Sequence, residues 1–279
     1  RLSSRLLEEF PECGAVVDLL RRSSEQLNGI LTDAVDARQV LFAPEAMASW
    51  VRFFVDLPWF DFYNSLVADT INAALEKIPP DKRLRVLEIG AGTGGTTLPV
   101  IERLANRNVE YHFTDISTYF LAQARDRFKD RPFVQVRPLD IESDPIAQLG
   151  PKPFDVVLAA NVLYATADLR ATLKRVQQLL APGGLLVLLE PSSKRPWADF
   201  IFGVTEGWWR FTDFDLRPDY AILGPHQWKE VLTEAGFEGA VALSESYGER
   251  APFHTVILAT LPRNAARSAA AQSPKDWLV

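Results

Sequence analysis

Beyond PPDKR (79–83), short apolar runs alternate with helical patterns, and this alternation constrains the fold more than any other feature of the chain. The runs are RVLEIG (85–90), EYHFTD (110–115), VQVRPL (134–139), FDVVLAA (154–160) and LLVLLE (185–190), with helical segments around 95–105, 118–128 and 167–180. Strand-length runs separated by helices predict a parallel, doubly wound α/β sheet, in which ligands bind at the carboxyl ends of the strands.

The flanks read differently. Residues 1–78 carry apolar positions three and four apart in AVVDLLRRSSEQLNGIL, APEAMASWVRFFVDL and NSLVADTINAALEKI, which predicts a helical N-terminal region, with Val67, Ile71, Ala74 and Leu75 on one face of its last helix. An insertion rich in aromatics and proline follows Glu190, at about 191–225, placed to cover a pocket. A helix at HQWKEVLTEAGF and two strands near 240–245 and 254–260 close a core of 79–261, giving a seven-stranded, mostly parallel sheet. The remainder, 262–279, reads as a linker tail, and the absence of an initial Met fits a piece of a longer polypeptide.

Composition narrows the function. A formal net charge of −6 without a long basic run argues against nucleic acid as a partner, and the RR of LLRRSS reads as the wet side of a helix. No apolar run approaches the roughly 18 residues that span a bilayer, and the start has acids where a secretory signal has an apolar core. Cys13 is the single cysteine, which fits a reducing, cytoplasmic setting and rules out a disulfide within the chain. The three histidines have no metal-ligand spacing, and Ser192 and Ser193 have no neighbouring histidine, so neither a metal nor a serine nucleophile is expected.

The turn after the first strand carries the chemistry. In EIGAGTGG, Gly90, Gly92 and Gly94 allow a sharp bend and close approach of backbone to a ligand, ahead of a helix amino end. Gly90, Gly92 and Gly95 also satisfy G-x-G-x-x-G, so the glycines alone leave a dinucleotide open. The acids separate the two readings. Glu88 suits a cationic aminoacyl group and is unwelcome to a pyrophosphate. Asp115 suits two ribose hydroxyls, and Asp140, with Ile141 beside it, suits an adenine amino group and ring. Three acids at three successive strand ends are more specific than the turn.

In that order, VLEIGAGTGGTT, YHFTDIS, PLDIE, FDVVLAANVLYAT and LLAPGGLLVLLE resemble the motifs of class I, Rossmann-like methyltransferases that use S-adenosylmethionine. More narrowly, EIGAGTGGTT, FTDIS, AANVLYAT and FGVTEGWWRFTDFDLRP resemble the methyltransferase domains of modular polyketide synthases, over about 40–260. The resemblance implies S-adenosylmethionine held by Glu88, Gly90, Gly92, Gly94, Asp115, Asp140, Ile141 and Asn161. It also implies that the helical start, 1–78, is a lid over the active site, and that the chain works with neighbouring synthase domains and an acyl carrier protein whose phosphopantetheine arm delivers a polyketide chain.

The second motif departs from the family. Members that methylate carbon typically read ANVLHAT, where the His and a Glu ending the fifth strand remove the proton α to a carbonyl; the matching positions here are Tyr164 and Glu190. Neutral tyrosine is a poor proton acceptor near pH 7, whereas a hydroxyl nucleophile needs no enolate. Oxygen methylation of a β-hydroxyl is therefore the expectation, in the branch of the stigmatellin type, with Glu190 taking the proton and Tyr164 orienting the hydroxyl. The alternatives are carbon methylation of a β-ketoacyl chain and an inactive domain kept as a spacer. His226 in LGPHQW is a further candidate base, while His112 and His254 read as structural. Tyr63 and Asn64 are placed to line the pocket from the lid, Asn64 being equally suited to cap a helix. Trp208 packs the insertion or walls an acyl tunnel.

Overall fold

The structure, a computed structural model, describes residues 2–55, 57–76, 78–243 and 253–264. Seven strands form one sheet: β1 (Leu84–Ile89), β2 (Val109–Asp115), β3 (Val134–Pro138), β4 (Phe154–Ala160), β5 (Leu180–Pro191), β6 (Glu238–Leu243) and β7 (His254–Thr260). Their order is β3-β2-β1-β4-β5-β7-β6; the first five run parallel, and β7 is antiparallel to both its neighbours. The sheet reverses direction of growth between β1 and β4, which opens a crevice at their carboxyl ends. β5 begins earlier than its apolar run because Leu180 pairs with Phe154 before a register shift brings Leu185 opposite Val156. The PGG turn at Pro182–Gly184 occupies that irregularity, with Gly183 at φ +75°. The expected strand end at 244–245 and the tail from 265 lie outside the described residues.

The helices, in chain order, are α1 (Leu2–Glu9), α2 (Gly14–Leu31), α3 (Ala37–Leu41), α4 (Pro44–Val55), α5 (Pro58–Leu75), α6 (Thr97–Arg103), α7 (Thr118–Arg127), α8 (Pro145–Leu149), α9 (Leu169–Leu179), α10 (Pro196–Ile201) and α11 (Pro225–Glu234). None of these is long and apolar enough to cross a membrane. α5 starts six residues before the expected NSLVADTIN segment, because Pro58 needs no backbone donor in the first turn. Asn64 therefore lies inside a helix and caps nothing. Val67, Ile71 and Leu75 are buried as expected, but Ala74 is exposed; the buried stripe is completed by Phe60, Tyr63, Asn64 and Ala68.

Two cores meet in this region. α5 packs on the sheet: Val67, Ala68 and Ile71 join Val86, Val156 and Val187. The helices before it build a separate aromatic core around Trp50, Phe53 and Phe60, into which the insertion sends Ile201, Trp197 and Phe202. Phe53 touches the rings of Trp50, Phe60, Trp197 and Phe202 at centroid distances of 5.4–6.1 Å. The aromatic core of the N-terminal helices thus draws on 196–204 as well, and the last of those helices, α5, packs on the sheet.

The other end of the insertion is fastened by Arg217, whose side chain is fully buried. Its guanidinium donates to Asp213 Oδ1 (2.7 Å) and to the carbonyls of Tyr164 (2.6 Å), Thr166 (2.8 Å) and Ala167 (3.2 Å). Asp213 Oδ2 accepts the Leu169 N–H at 3.0 Å, so the ion pair clamps the whole 164–169 segment. Arg217→Met leaves a buried carboxylate and three carbonyls without their donor, and should cost about 3–5 kcal/mol in a denaturant titration.

Candidate active site

β1 delivers the chain into a turn that only glycine-rich sequence can make. Gly90, Gly92 and Gly94 have φ of +63°, +52° and +75°, in the left-handed region. A Cβ on Gly90 would stand 2.4 Å from Val162 Cγ2, so the turn also presses against the segment after β4. The turn lines a cavity of about 370 Å3, within the range of small-molecule sites. Gly90, Gly92 and Gly95 reach that cavity. Gly94 does not; its N–H closes the turn on the Ala91 carbonyl at 2.9 Å. Gly95 lies under the lid, where a Cβ would meet the Phe54 carbonyl at 3.0 Å.

The three strand-end acids all line this cavity, each already holding part of its wall. Asp115 Oδ2 accepts from Gly92 N–H (2.9 Å) and Oδ1 from Ser117 N–H (2.7 Å), and burial raises its carboxyl above the ordinary value. Glu88 Oε2 accepts from Thr97 Oγ1 (2.5 Å) and Tyr111 OH (2.6 Å). Burial outweighs those bonds and pushes Glu88 up to about 7. Asp140 braces the following turn, accepting from Glu142 N–H at 2.9 Å and Ser143 Oγ at 2.7 Å, and Ile141 beside it is buried against the cavity. Arg210, from the insertion, reaches the same cavity and is ion-paired with Glu142; its position was not legible in sequence.

A second, smaller compartment of about 40 Å3 adjoins the first and is walled mainly by aromatic rings. Tyr164 and Trp208 line it, edge to face at 5.6 Å, with Phe202 stacked on Trp208 at 5.5 Å. Trp208 is thus both packing for the insertion and part of the wall. Phe54, Phe60 and Asn161 border both compartments. Asn64 lines the larger one and accepts from Thr96 Oγ1 at 2.7 Å, tying α5 to the glycine turn. Tyr63 lines neither; its ring backs His254 at 5.6 Å.

The candidate bases are distributed otherwise than the sequence suggests. His226 lies in the first turn of α11 with 79% of its side chain exposed, ion-paired with Glu230 at 3.1 Å, and borders neither compartment. That placement corrects its expected return to the pocket. Glu190 is fully buried behind the compartments: Oε1 accepts the N–H groups of Leu163 (2.8 Å) and Val162 (3.4 Å), while Oε2 has no partner. It makes no ion pair with Lys194, which pairs with Asp219. Burial, partly offset by those backbone bonds, pushes Glu190 up to about 8. Burial, reinforced by the Glu190 charge, raises Tyr164 further above its ordinary range, so its phenol is neutral. His254, expected to be structural, borders the smaller compartment and meets Asn161.

This geometry stands beside known proteins. A family model described as a methyltransferase domain matches residues 87–186. The CurJ carbon methyltransferase is 43% identical, with a TM-score of 0.87 covering 94% of this chain and 70% of that one. The CMeT domain of the citrinin polyketide synthase is 32% identical, with a TM-score of 0.84 covering 93% of this chain and 68% of that one. This chain is a polyketide synthase methyltransferase domain. The DszA carbon methyltransferase is 34% identical (TM-score 0.83; 92% and 68% covered), and the trans-methyltransferase CalH, solved with S-adenosylhomocysteine, is 32% identical (TM-score 0.73; 90% and 68% covered). Among curated sequences, the non-reducing polyketide synthase esdpA of Penicillium shearii is 35% identical over 240 residues, which is 83% of this domain and 11% of that synthase. The domain spans about a tenth of the length of the curated synthases it matches. Its cofactor is S-adenosylmethionine, and the positive-φ glycine turn with acids at three strand ends, Glu88 and Asp115 of them buried, fits that group.

Because folding raises the Glu190 pKa, the fold holds its proton where the unfolded chain releases it. Stability is fully present below the unfolded pKa, near 4.5, and is lost as pH rises toward 8. Glu190→Gln keeps a carbonyl for the Leu163 N–H and removes that loss. Its stability relative to the parent should climb between pH 5 and 8 by up to about 1.4 kcal/mol per pH unit in denaturant titrations.

Proposed function

We propose that the domain methylates the α carbon of a β-ketoacyl chain carried on the phosphopantetheine arm of an acyl carrier protein. The observation that carries this reading is the 43% identity to the CurJ carbon methyltransferase over 94% of the chain. The oxygen acceptor expected from Tyr164 has less support, since the DszA neighbour is a carbon methyltransferase as well.

S-adenosylmethionine, when bound, supplies a sulfonium methyl that a carbon or oxygen electron pair can take, leaving S-adenosylhomocysteine. Glu88 suits its ammonium: a carboxyl held near 7 ionises readily beside a cation. Asp115 suits the ribose hydroxyls, and Asp140 with Ile141 the adenine. Glu190 is the proton acceptor of this reading. Its free Oε2 and raised pKa make it a stronger base than an exposed carboxylate once it is ionised. In this reading the α C–H proton is lost toward Glu190, which lies behind the compartment wall rather than in it, as the enolate forms, and the enolate carbon then takes the methyl. The aromatic compartment keeps the acyl end dry.

Tyr164 favours a second reading, transfer to a β-hydroxyl. A neutral phenol in the compartment wall can orient a hydroxyl, whose lone pair attacks without a prior enolate.

Intact-mass analysis of a carrier protein loaded in turn with β-ketoacyl and β-hydroxyacyl chains decides between them. A one-methyl gain on the ketone, lost when its α carbon carries two methyl groups, is the expected result. A gain on the hydroxyl alone transfers the assignment to oxygen, and no gain on either, together with no S-adenosylmethionine binding, points to an inactive spacer. Separately, Asp115→Ala removes the ribose partner and the brace on Gly92, and should weaken S-adenosylmethionine binding by about 10-fold or more in calorimetry.

A further inference from the structure

We infer that His254 and Asn161 form a positioning pair that turns the Asn161 amide N–H groups toward an oxygen of the acyl substrate, where the two compartments meet. This rests on the carbon-methylation reading above and assigns to Asn161 a substrate role in place of the cofactor role expected from sequence.

Antiparallel β7 makes the pair possible. Its first residue, His254, sits opposite Pro191 at the end of β5, within reach of Asn161 just past the end of β4. His254 Nε2 lies 2.7 Å from Asn161 Oδ1. The imidazole is enclosed by Phe60 (5.0 Å), Tyr63 (5.6 Å) and Phe253 (4.4 Å), which fix its plane. Its other nitrogen, Nδ1, is buried without a partner. A proton on Nδ1 would be an orphaned donor in an apolar shell, a rarer and costlier arrangement than an orphaned acceptor. The proton therefore resides on Nε2 and is donated to Oδ1. Burial also pulls the imidazole down to about 3, so it remains neutral and does not serve as a charged donor.

With Oδ1 taken, the free face of the amide is its N–H pair. Asn161 is held at both ends: its backbone has φ +59°, a left-handed conformation that asparagine tolerates, and its N–H donates to the Leu189 carbonyl at 2.7 Å. Among the described residues, it is also the polar side chain common to both compartments, the other shared residues being Phe54 and Phe60. A fixed donor at that junction meets the part of the acyl chain that faces the methyl. Aimed at a carbonyl oxygen, it stabilises the negative charge that develops as the α proton leaves, which is the work of an oxyanion donor. His254 touches neither reactant; it acts by fixing the amide.

The test reads the pair in three ways. In 15N-histidine spectra, with His254 assigned by its loss in His254→Gln, the ring should be the neutral Nε2–H tautomer from pH 5 to 9, and Asn161→Ala should shift Nε2. In calorimetry with S-adenosylhomocysteine present, acetoacetyl-pantetheine thioester should bind Asn161→Ala about 10-fold more weakly than the parent, with S-adenosylhomocysteine affinity itself changed less than about twofold. In turnover, Asn161→Ala and His254→Phe should each lower kcat by about 100-fold, and His254→Gln, which still offers an N–H to Oδ1, should recover most of it. A parent domain that binds no thioester defeats the carbon-methylation reading and this inference with it. Normal thioester binding by the parent and equally by Asn161→Ala, an Nδ1–H tautomer, or loss confined to cofactor affinity overturns this inference alone.

Discussion

One guanidinium without solvent exposure ties the substrate side of this domain to its sheet. Arg217 spends its donors on Asp213 and on three consecutive-region carbonyls at Tyr164, Thr166 and Ala167. A buried cation is tolerable only when its bonds are complete, so the arrangement of the 164–169 segment and the end of the insertion specify each other. Tyr164 inherits its place from that bond, and the Glu190 carboxylate secures the same segment from the opposite side through the Leu163 N–H. The residues proposed for chemistry are therefore held mostly through backbone, which explains how the Tyr164 position can differ from the carbon-methylating pattern without disturbing the fold around it.

The strands were legible because apolar runs of strand length need no distant information, and β4 occupies the expected 154–160 span. The glycine turn was legible for the same reason, except that sequence could not tell which glycine bends the chain and which faces the cavity; Gly94 does the first and Gly95 the second. What sequence concealed depends on long-range pairing. His254 has its partner 93 residues away across an antiparallel strand, and nothing near it marks the contact. Glu190 lies one residue before the end of the fifth strand, yet its bonds to the 162–163 backbone and its position behind the compartments follow from how β4 and β5 align. His226 looked promising only because a loop of unknown path preceded it.

The two compartments differ in chemistry in the way the two reactants do. The larger combines carboxylates and the glycine-turn backbone with apolar side chains, the smaller is walled mainly by rings, and Phe54 of α4 and Phe60 of α5 are part of both walls. Displacement of α4 would change both at once, since the Phe54 carbonyl also lies against Gly95. Glu88 and Glu190 bring two acids with raised pKa values to the same region, which limits the negative charge there until a cation arrives.

Two distant stretches of chain, the N-terminal helices and 196–204, are joined in one aromatic core. That construction has a consequence for recombination between synthases. A crossover at the helix-to-sheet boundary near residue 78 would unite one parent's Trp50 and Phe53 with another's Trp197 and Phe202, partners that touch ring to ring here. Exchange is therefore best tolerated when the whole domain travels as a unit, and the aromatic contacts between 50–60 and 197–202 act as a compatibility check on any chimera.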